Sequence, residues 1–159
     1  MRDDTYASGG ASVAVLNQLN GWEANLILNL RLWCDSPNGK AQVWNDYART
    51  FRSPLATHEM QAFETLIATL IEYAYRPLVR HDVNCACVGS DECVFLNLVK
   101  TASDGHLSDA ALIATLIAGP TKAEAIAMLA GQVGEGARQI RPQNHDIDIT
   151  HATNVVRLH

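Results

Sequence analysis

The sequence lacks a continuous apolar run of the ~18 residues that a membrane-spanning helix needs. Basic residues are also scarce, since the 12 lysines and arginines are scattered over 159 residues and form no cluster. We therefore expect neither a membrane nor a nucleic acid as partner. The first 20 residues hold one arginine, two aspartates and a short, interrupted apolar stretch. A signal peptide needs a basic start and a longer apolar core, so we expect a cytoplasmic protein.

Sequence motifs of familiar enzymes are missing as well. There is no Gly-x-Ser-x-Gly of a hydrolase and no His-Glu-x-x-His of a metalloprotease. The glycines of "GQVGEG" (residues 131–136) fall late in a helical pattern and do not follow a strand, as a nucleotide-binding loop requires. The sequence offers no combination of a nucleophile, a base and an oxyanion donor that would form an active site, so a non-enzymatic protein is the favoured prediction.

The composition is that of one globular domain covering residues 1–159. Apolar residues make up 48% and charged residues 18%, and the formal net charge is −5. Residues 1–11 are expected to be a loose lead-in, and residues 141–159 an extended C-terminal arm. Between them, apolar residues recur with the 3.6-residue period of an amphipathic helix.

This periodicity predicts an all-α fold, a single irregular bundle of about six helices. The predicted helices cover residues 21–34, residues 39–51, a segment from an N-cap at Thr57 to Pro77, a segment from Ser90 or Asp91 to "SDG", a segment from Ser108 or Asp109 to "GP", and a segment from the capping box "TKAE" (residues 121–124) to Ile140. In the fifth helix, Leu112, Ile113, Leu116 and Ile117 are expected to face the core. Residues 13–19 fit either a short helix or a strand.

The C-terminal arm has a different pattern. His145, Ile147, Ile149 and His151 alternate with polar residues, which is the periodicity of an extended strand. The arm is too apolar to stay solvated, so we predict that it docks on the bundle or on a neighbouring subunit. The apolar residues concerned are Ile147, Ile149, Val155, Val156 and Leu158.

The segment from residue 80 to residue 93, called the cysteine segment below, is the strongest candidate for a site. It overlaps residues 77–89, which show neither helical nor strand periodicity, and a loop of that length usually has an anchor. His81, Cys85, Cys87 and Cys93 supply one imidazole and three thiols, the ligand types of a closed tetrahedral zinc site. Cys34 is a rival fourth ligand.

Cys93 is placed in the first turn of the fourth helix, where we expect the helix dipole to lower its pKa. Two alternatives to zinc remain open for the cysteine segment. In the first, the thiols are small half-buried side chains in a reducing compartment, and in the second Cys85 and Cys87 form a reversible disulfide. Four protein ligands would indicate a structural metal, and three with water a catalytic one.

Three stretches of the chain resemble a group of small uncharacterised helical proteins from alphaproteobacteria. They are "NLRLWCD…AQVWNDYA", "RPLVRH…CACVGSDE" and "DAALIATL", and the similarity spans residues 29–129. The resemblance implies a bacterial helical protein and carries no activity with it. The functional prediction is therefore a non-enzymatic helical module that binds another protein or itself and holds a structural zinc. The alternative is a redox or metal-dependent enzyme that uses Cys85 and Cys87.

Overall fold

The computed structural model describes residues 9–140 and 155–158, with the side chains of residues 155–157 excepted. In this part of the chain the elements are, in order, strand β1 (Ser12–Val15), a 3-10 turn (Leu16–Gln18), helices α1 (Gly21–Asp35), α2 (Pro37–Thr50) and α3 (Ser53–Tyr73), strands β2 (Val79–His81) and β3 (Cys87–Gly89), helices α4 (Ser90–Ser103), α5 (Leu107–Ala118) and α6 (Pro120–Ala137), and strand β4 (Val155–Arg157). The predicted all-α bundle of six helices is confirmed.

Pro37, Pro54 and Pro120 lie in the first turns of α2, α3 and α6. Ser36 alone separates α1 from α2, and its hydroxyl accepts the backbone N–H of Gly39 at 3.0 Å. Pro37 is already helical, because a first-turn residue needs no N–H donor and the fixed φ of proline suits a helix. The predicted start at residue 39 is therefore two residues late.

Two other predicted starts are wrong for the same reason. α3 begins at Ser53 with a proline in its first turn, and the hydroxyl of Thr57 bonds to the carbonyl of Ser53 instead of capping the helix. α6 begins at Pro120, so Thr121 lies inside the helix and the predicted capping box does not form. Gly119, whose φ is +84°, makes the turn between α5 and α6.

The prediction that residues 77–89 contain no strand is wrong. β1 pairs antiparallel with β3, and β2 pairs antiparallel with β4. Each strand has only three or four residues, too few for a visible alternation, and each partner lies far away in the sequence. The choice left open for residues 13–19 is settled as strand to Val15, followed by a 3-10 turn.

The core lies between the helices and includes the C-terminal end of the described chain. Trp33 and Tyr47 pack against Phe63 of α3 with ring centroids 5.8 and 6.1 Å apart. The predicted docking of the arm is confirmed for Leu158, which is buried and whose N–H bonds to the carbonyl of Leu78 at 3.0 Å. Val155 and Val156 belong to β4, whose backbone pairs with β2. Ile147 and Ile149 lie outside the described residues, as does most of the lead-in.

Candidate functional site

A buried ion pair lies under the cysteine segment. Arg31 of α1 and Glu92 of α4 are both fully buried, and two contacts join them: Nε to Oε1 at 2.7 Å and Nη2 to Oε2 at 2.9 Å. This is the bidentate geometry, in which a guanidinium and a carboxylate bind each other most strongly. The pair joins the first half of the bundle to the second.

The same two side chains hold the backbone of the segment. Arg31 donates to the carbonyl oxygens of Cys85 and Cys87, both at 2.7 Å. Glu92 accepts the backbone N–H groups of His81 at 3.0 Å and of Gly89 at 2.9 Å. Buried backbone groups need partners, and here charged side chains supply them. The anchor that the length of this loop predicts is thus the Arg31–Glu92 pair.

A second ion pair fixes the chain just before β2. Asp91 accepts two hydrogen bonds from Arg76, each at 2.8 Å, and one from the backbone N–H of Val79 at 2.8 Å. Asp91 is buried, whereas about a third of the Arg76 side chain is exposed. Adjacent carboxylates at the start of α4 therefore hold the two ends of β2.

His81 is fully buried and both of its ring nitrogens have partners. Nε2 lies 2.7 Å from the carbonyl oxygen of Gly10, and Nδ1 lies 3.4 Å from Sγ of Cys85. Because a carbonyl only accepts, Nε2 carries a proton, and a hydrogen bond between Nδ1 and Sγ of Cys85 completes the pairing of the ring. The imidazole thus ties the segment before β1 to the turn between β2 and β3.

The structure brings His81 and Cys85 together but does not gather the predicted zinc ligands into one set. Within residues 9–140 and 155–158, no group of three or more His, Cys, Asp or Glu side chains could hold a metal ion. Cys85 is buried, and Cys34, Cys87 and Cys93 are half-buried. All four are free thiols, so no disulfide joins Cys85 to Cys87. Zinc binding itself stays a prediction.

Two of the thiols have raised pKa values. Burial raises the pKa of Cys34 to about 11, against the opposing effects of Arg80 and Lys40. Burial, followed by the charge of Glu92, raises the pKa of Cys93. The expectation that the start of α4 lowers the pKa of Cys93 is therefore wrong, because burial and the carboxylate of Glu92 both favour the neutral thiol. Both thiols stay protonated at neutral pH and are poor nucleophiles.

A different surface of the molecule is exposed and apolar. α5 turns its small residues Ala110 and Ala114 inward, with both 0% exposed. Its leucines face outward, with Leu112 65% and Leu116 81% exposed. The prediction that these two leucines face the core is wrong. α5 packs mainly against α4 and α6, and this packing leaves Leu112 and Leu116 exposed.

Leu116 lines an open groove of about 620 Å³, and Leu112 lies one helical turn away on the exposed face of α5. The groove runs between α4, α5 and the chain that follows α3, and its lining includes Tyr75, Val94 and Leu116. Tyr75 is 72% and Val94 38% exposed, and the N–H of Tyr75 bonds to the carbonyl of Ile117 at 3.0 Å. We call Tyr75, Val94, Leu112 and Leu116 the α5 patch. The Arg76–Asp91 pair also lines the groove.

Sequence reasoning missed both the anchor and the patch. One signal for the anchor was present, because Arg31 lies within the apolar run "LILNLRLWC", and an arginine is almost never fully buried without a partner. The patch left no such signal, since periodicity does not say which of two apolar faces a neighbouring helix will cover.

None of the helices in the described part of the chain is long and apolar enough to span a membrane. A scan against protein-family models, a search of curated proteins and a search of solved structures each find no match to this chain.

Proposed function

We propose that the protein is a non-enzymatic helical module that binds a protein partner through the α5 patch. The observation that carries this proposal is the inverted order of α5, with alanines inside and leucines outside. Burying a leucine stabilises a protein by about 1.5 to 3 kcal/mol, and here that gain is left unused by the fold. Contiguous exposed apolar residues on a folded protein are typical of interaction surfaces.

The shape of the patch favours a protein over a small molecule. A small-molecule site encloses most of its ligand's surface, roughly 70 to 90%. The α5 patch instead combines an open groove with side chains that project from it, above all Leu116 at 81% exposed. A ridge and a groove of this kind suit the broad surface of another protein. The polar pair Arg76–Asp91 lies at the edge, as polar groups do at the rim of an interface.

The competing proposal is an enzyme that uses Cys85 and Cys87. Cys85 is 1% exposed and its thiol bonds to His81, so a substrate would have to open the segment to reach it. Our proposal therefore gives the cysteine segment the role of holding the bundle together. A structural zinc, a cytoplasmic location and the resemblance to alphaproteobacterial proteins remain predictions.

Site-specific photo-crosslinking in the cell that produces the protein tests the proposal. A photo-reactive phenylalanine derivative replaces Leu116, and in a matched control it replaces Leu55 of α3, which is 47% exposed and lies outside the patch. We expect a discrete adduct from position 116 and none from position 55, with the crosslinked peptide identified by mass spectrometry. Equal yields from the two positions, or no adduct from position 116, would overturn the proposal.

A further inference from the structure

We infer that the protein that binds the α5 patch is a second copy of this chain, so that two copies pack α5 against α5 about a two-fold axis. This inference rests on the proposed function and names its partner. In a two-fold dimer the same surface is used by both copies, so the surface must be complementary to itself.

The α5 patch meets that requirement in shape. Leu112 and Leu116 are one helical turn apart and form a ridge, and Leu116 also lines the groove beside that ridge. A two-fold axis next to Leu116 places the ridge of each copy over the groove of the other. Tyr75 and Val94, which also line the groove, would then cover the incoming leucines.

The patch also meets the requirement in charge. The whole chain carries a formal net charge of −5, which would make two copies repel each other at most surfaces. The charged residues that line the groove are Arg76 and Asp91, and they bind each other within one copy at 2.8 Å. No like charges are therefore forced together when two grooves face each other, which removes the main obstacle to self-association.

The apolar area of the patch is what a weak dimer needs. With roughly 200 Å² for a tyrosine and roughly 100 Å² for an aliphatic side chain, the exposed fractions amount to about 330 Å² per copy. Two copies would bury about 650 Å² of apolar surface. Since apolar atoms make up roughly 60% of an interface, the total is about 1,100 Å², just above the roughly 1,000 Å² expected of a biological contact. The dimer should therefore dissociate on dilution.

Sedimentation equilibrium of the whole chain over a wide range of concentrations tests the inference. We expect the weight-average mass to rise from the monomer's 17.3 kDa toward twice that value as the concentration increases. Leu116→Glu should weaken the association by roughly tenfold or more, because it brings a charge into the centre of the contact. The matched control Leu55→Glu, which adds the same charge outside the patch, should associate like the unchanged protein.

Two results would overturn this inference, once the variants are shown to be folded. Circular dichroism first shows that the Leu116→Glu variant is folded, and Leu112→Ser, a milder change on the same ridge, replaces it if it is not. A protein that stays monomeric at every concentration, while position 116 still crosslinks to a different protein, overturns the dimer and keeps the binding module. A dimer that Leu116→Glu and Leu112→Ser leave unchanged overturns the α5 contact.

Discussion

Replacement of Arg31 by methionine should cost the protein much of its stability. Methionine keeps the length and the apolar contacts of the side chain but removes four hydrogen bonds, two to Glu92 and one each to the carbonyls of Cys85 and Cys87. The carboxylate of Glu92 would stay buried with only the N–H groups of His81 and Gly89 as partners.

The structure gives the size of the effect. Removing one partner of a buried ion pair costs about 3 to 5 kcal/mol, and a buried carbonyl without a donor costs about 1 to 3 kcal/mol. These costs overlap, because relaxation at one group relieves the others, so we expect a total loss of about 4 to 6 kcal/mol. A chain of this length has a free energy of unfolding of roughly 8 to 15 kcal/mol. The variant should fold, but marginally.

Equilibrium urea unfolding followed by circular dichroism measures the loss. Arg138→Met is the matched control, because the ion pair of Arg138 with Asp104 is exposed on both sides, at 38% and 41%. Such a surface pair contributes about 0 to 1 kcal/mol. In the double variant Arg31→Met with Glu92→Met, neither member of this pair is left as an unpaired buried charge, so the loss should be smaller than the sum of the two single losses by about 2 kcal/mol.

If Arg31→Met lowered the free energy of unfolding by less than about 1 kcal/mol, the reasoning would be refuted, because removing one partner of a buried ion pair should cost several times more. Additivity of the two single losses would also contradict it, because it would mean that Arg31 and Glu92 do not stabilise each other.

Three further predictions concern other parts of the molecule. Leu158→Ala should lower the free energy of unfolding by about 2 to 4 kcal/mol, because it leaves a cavity where the arm docks. Leu55→Ala, at an exposed position, should change it little. Equal effects of the two substitutions in thermal melts would contradict the docking of the arm. Burial raises the pKa of Glu59, with Glu135 adding to the effect and His58 opposing it, so the folded state holds this proton more tightly than the unfolded state and loses stability as pH rises through that range. Glu59→Gln should therefore raise the melting temperature at pH 7 more than at pH 4, and a gain that is the same at both would be inconsistent with this. The zinc prediction expects a chelator to lower the melting temperature clearly, because a structural metal contributes several kcal/mol to folding. An unchanged melting temperature in protein purified without chelator would contradict it and leave Arg31 and Glu92 as the anchor of the cysteine segment.

The fold could be predicted from the sequence because long helices repeat their apolar pattern several times. α1 and α4 begin where the pattern places them, at Gly21 and Ser90. The starts of α2, α3 and α6 were predicted late, since a proline that ends one helix and a proline that opens the next look the same in sequence. Three-residue strands such as β2 and β4 repeat too little to be seen, and their pairing joins residues more than 70 positions apart.

The candidate site was predictable in part. The length of the loop in the cysteine segment indicates that the loop needs an anchor, and its cysteines and histidine suggest zinc. In the structure, the anchoring side chains are those of Arg31 and Glu92. A contact between residues 61 positions apart leaves no trace in local spacing. The α5 patch was missed because Leu112 and Leu116 continue an apolar pattern that also fits the core, and only the packing of α4 and α6 decides which side is covered.

The most direct test of the α5 patch is the yield of photo-crosslinked adduct from position 112, compared between the chain with Leu116 intact and the chain with Leu116→Glu. Position 112 reports contact on the same ridge, one helical turn away from the substitution. If the patch is a protein-binding surface, the adduct forms with Leu116 intact and is lost with Leu116→Glu. An adduct that forms equally in both chains, or in neither, would contradict the proposed function.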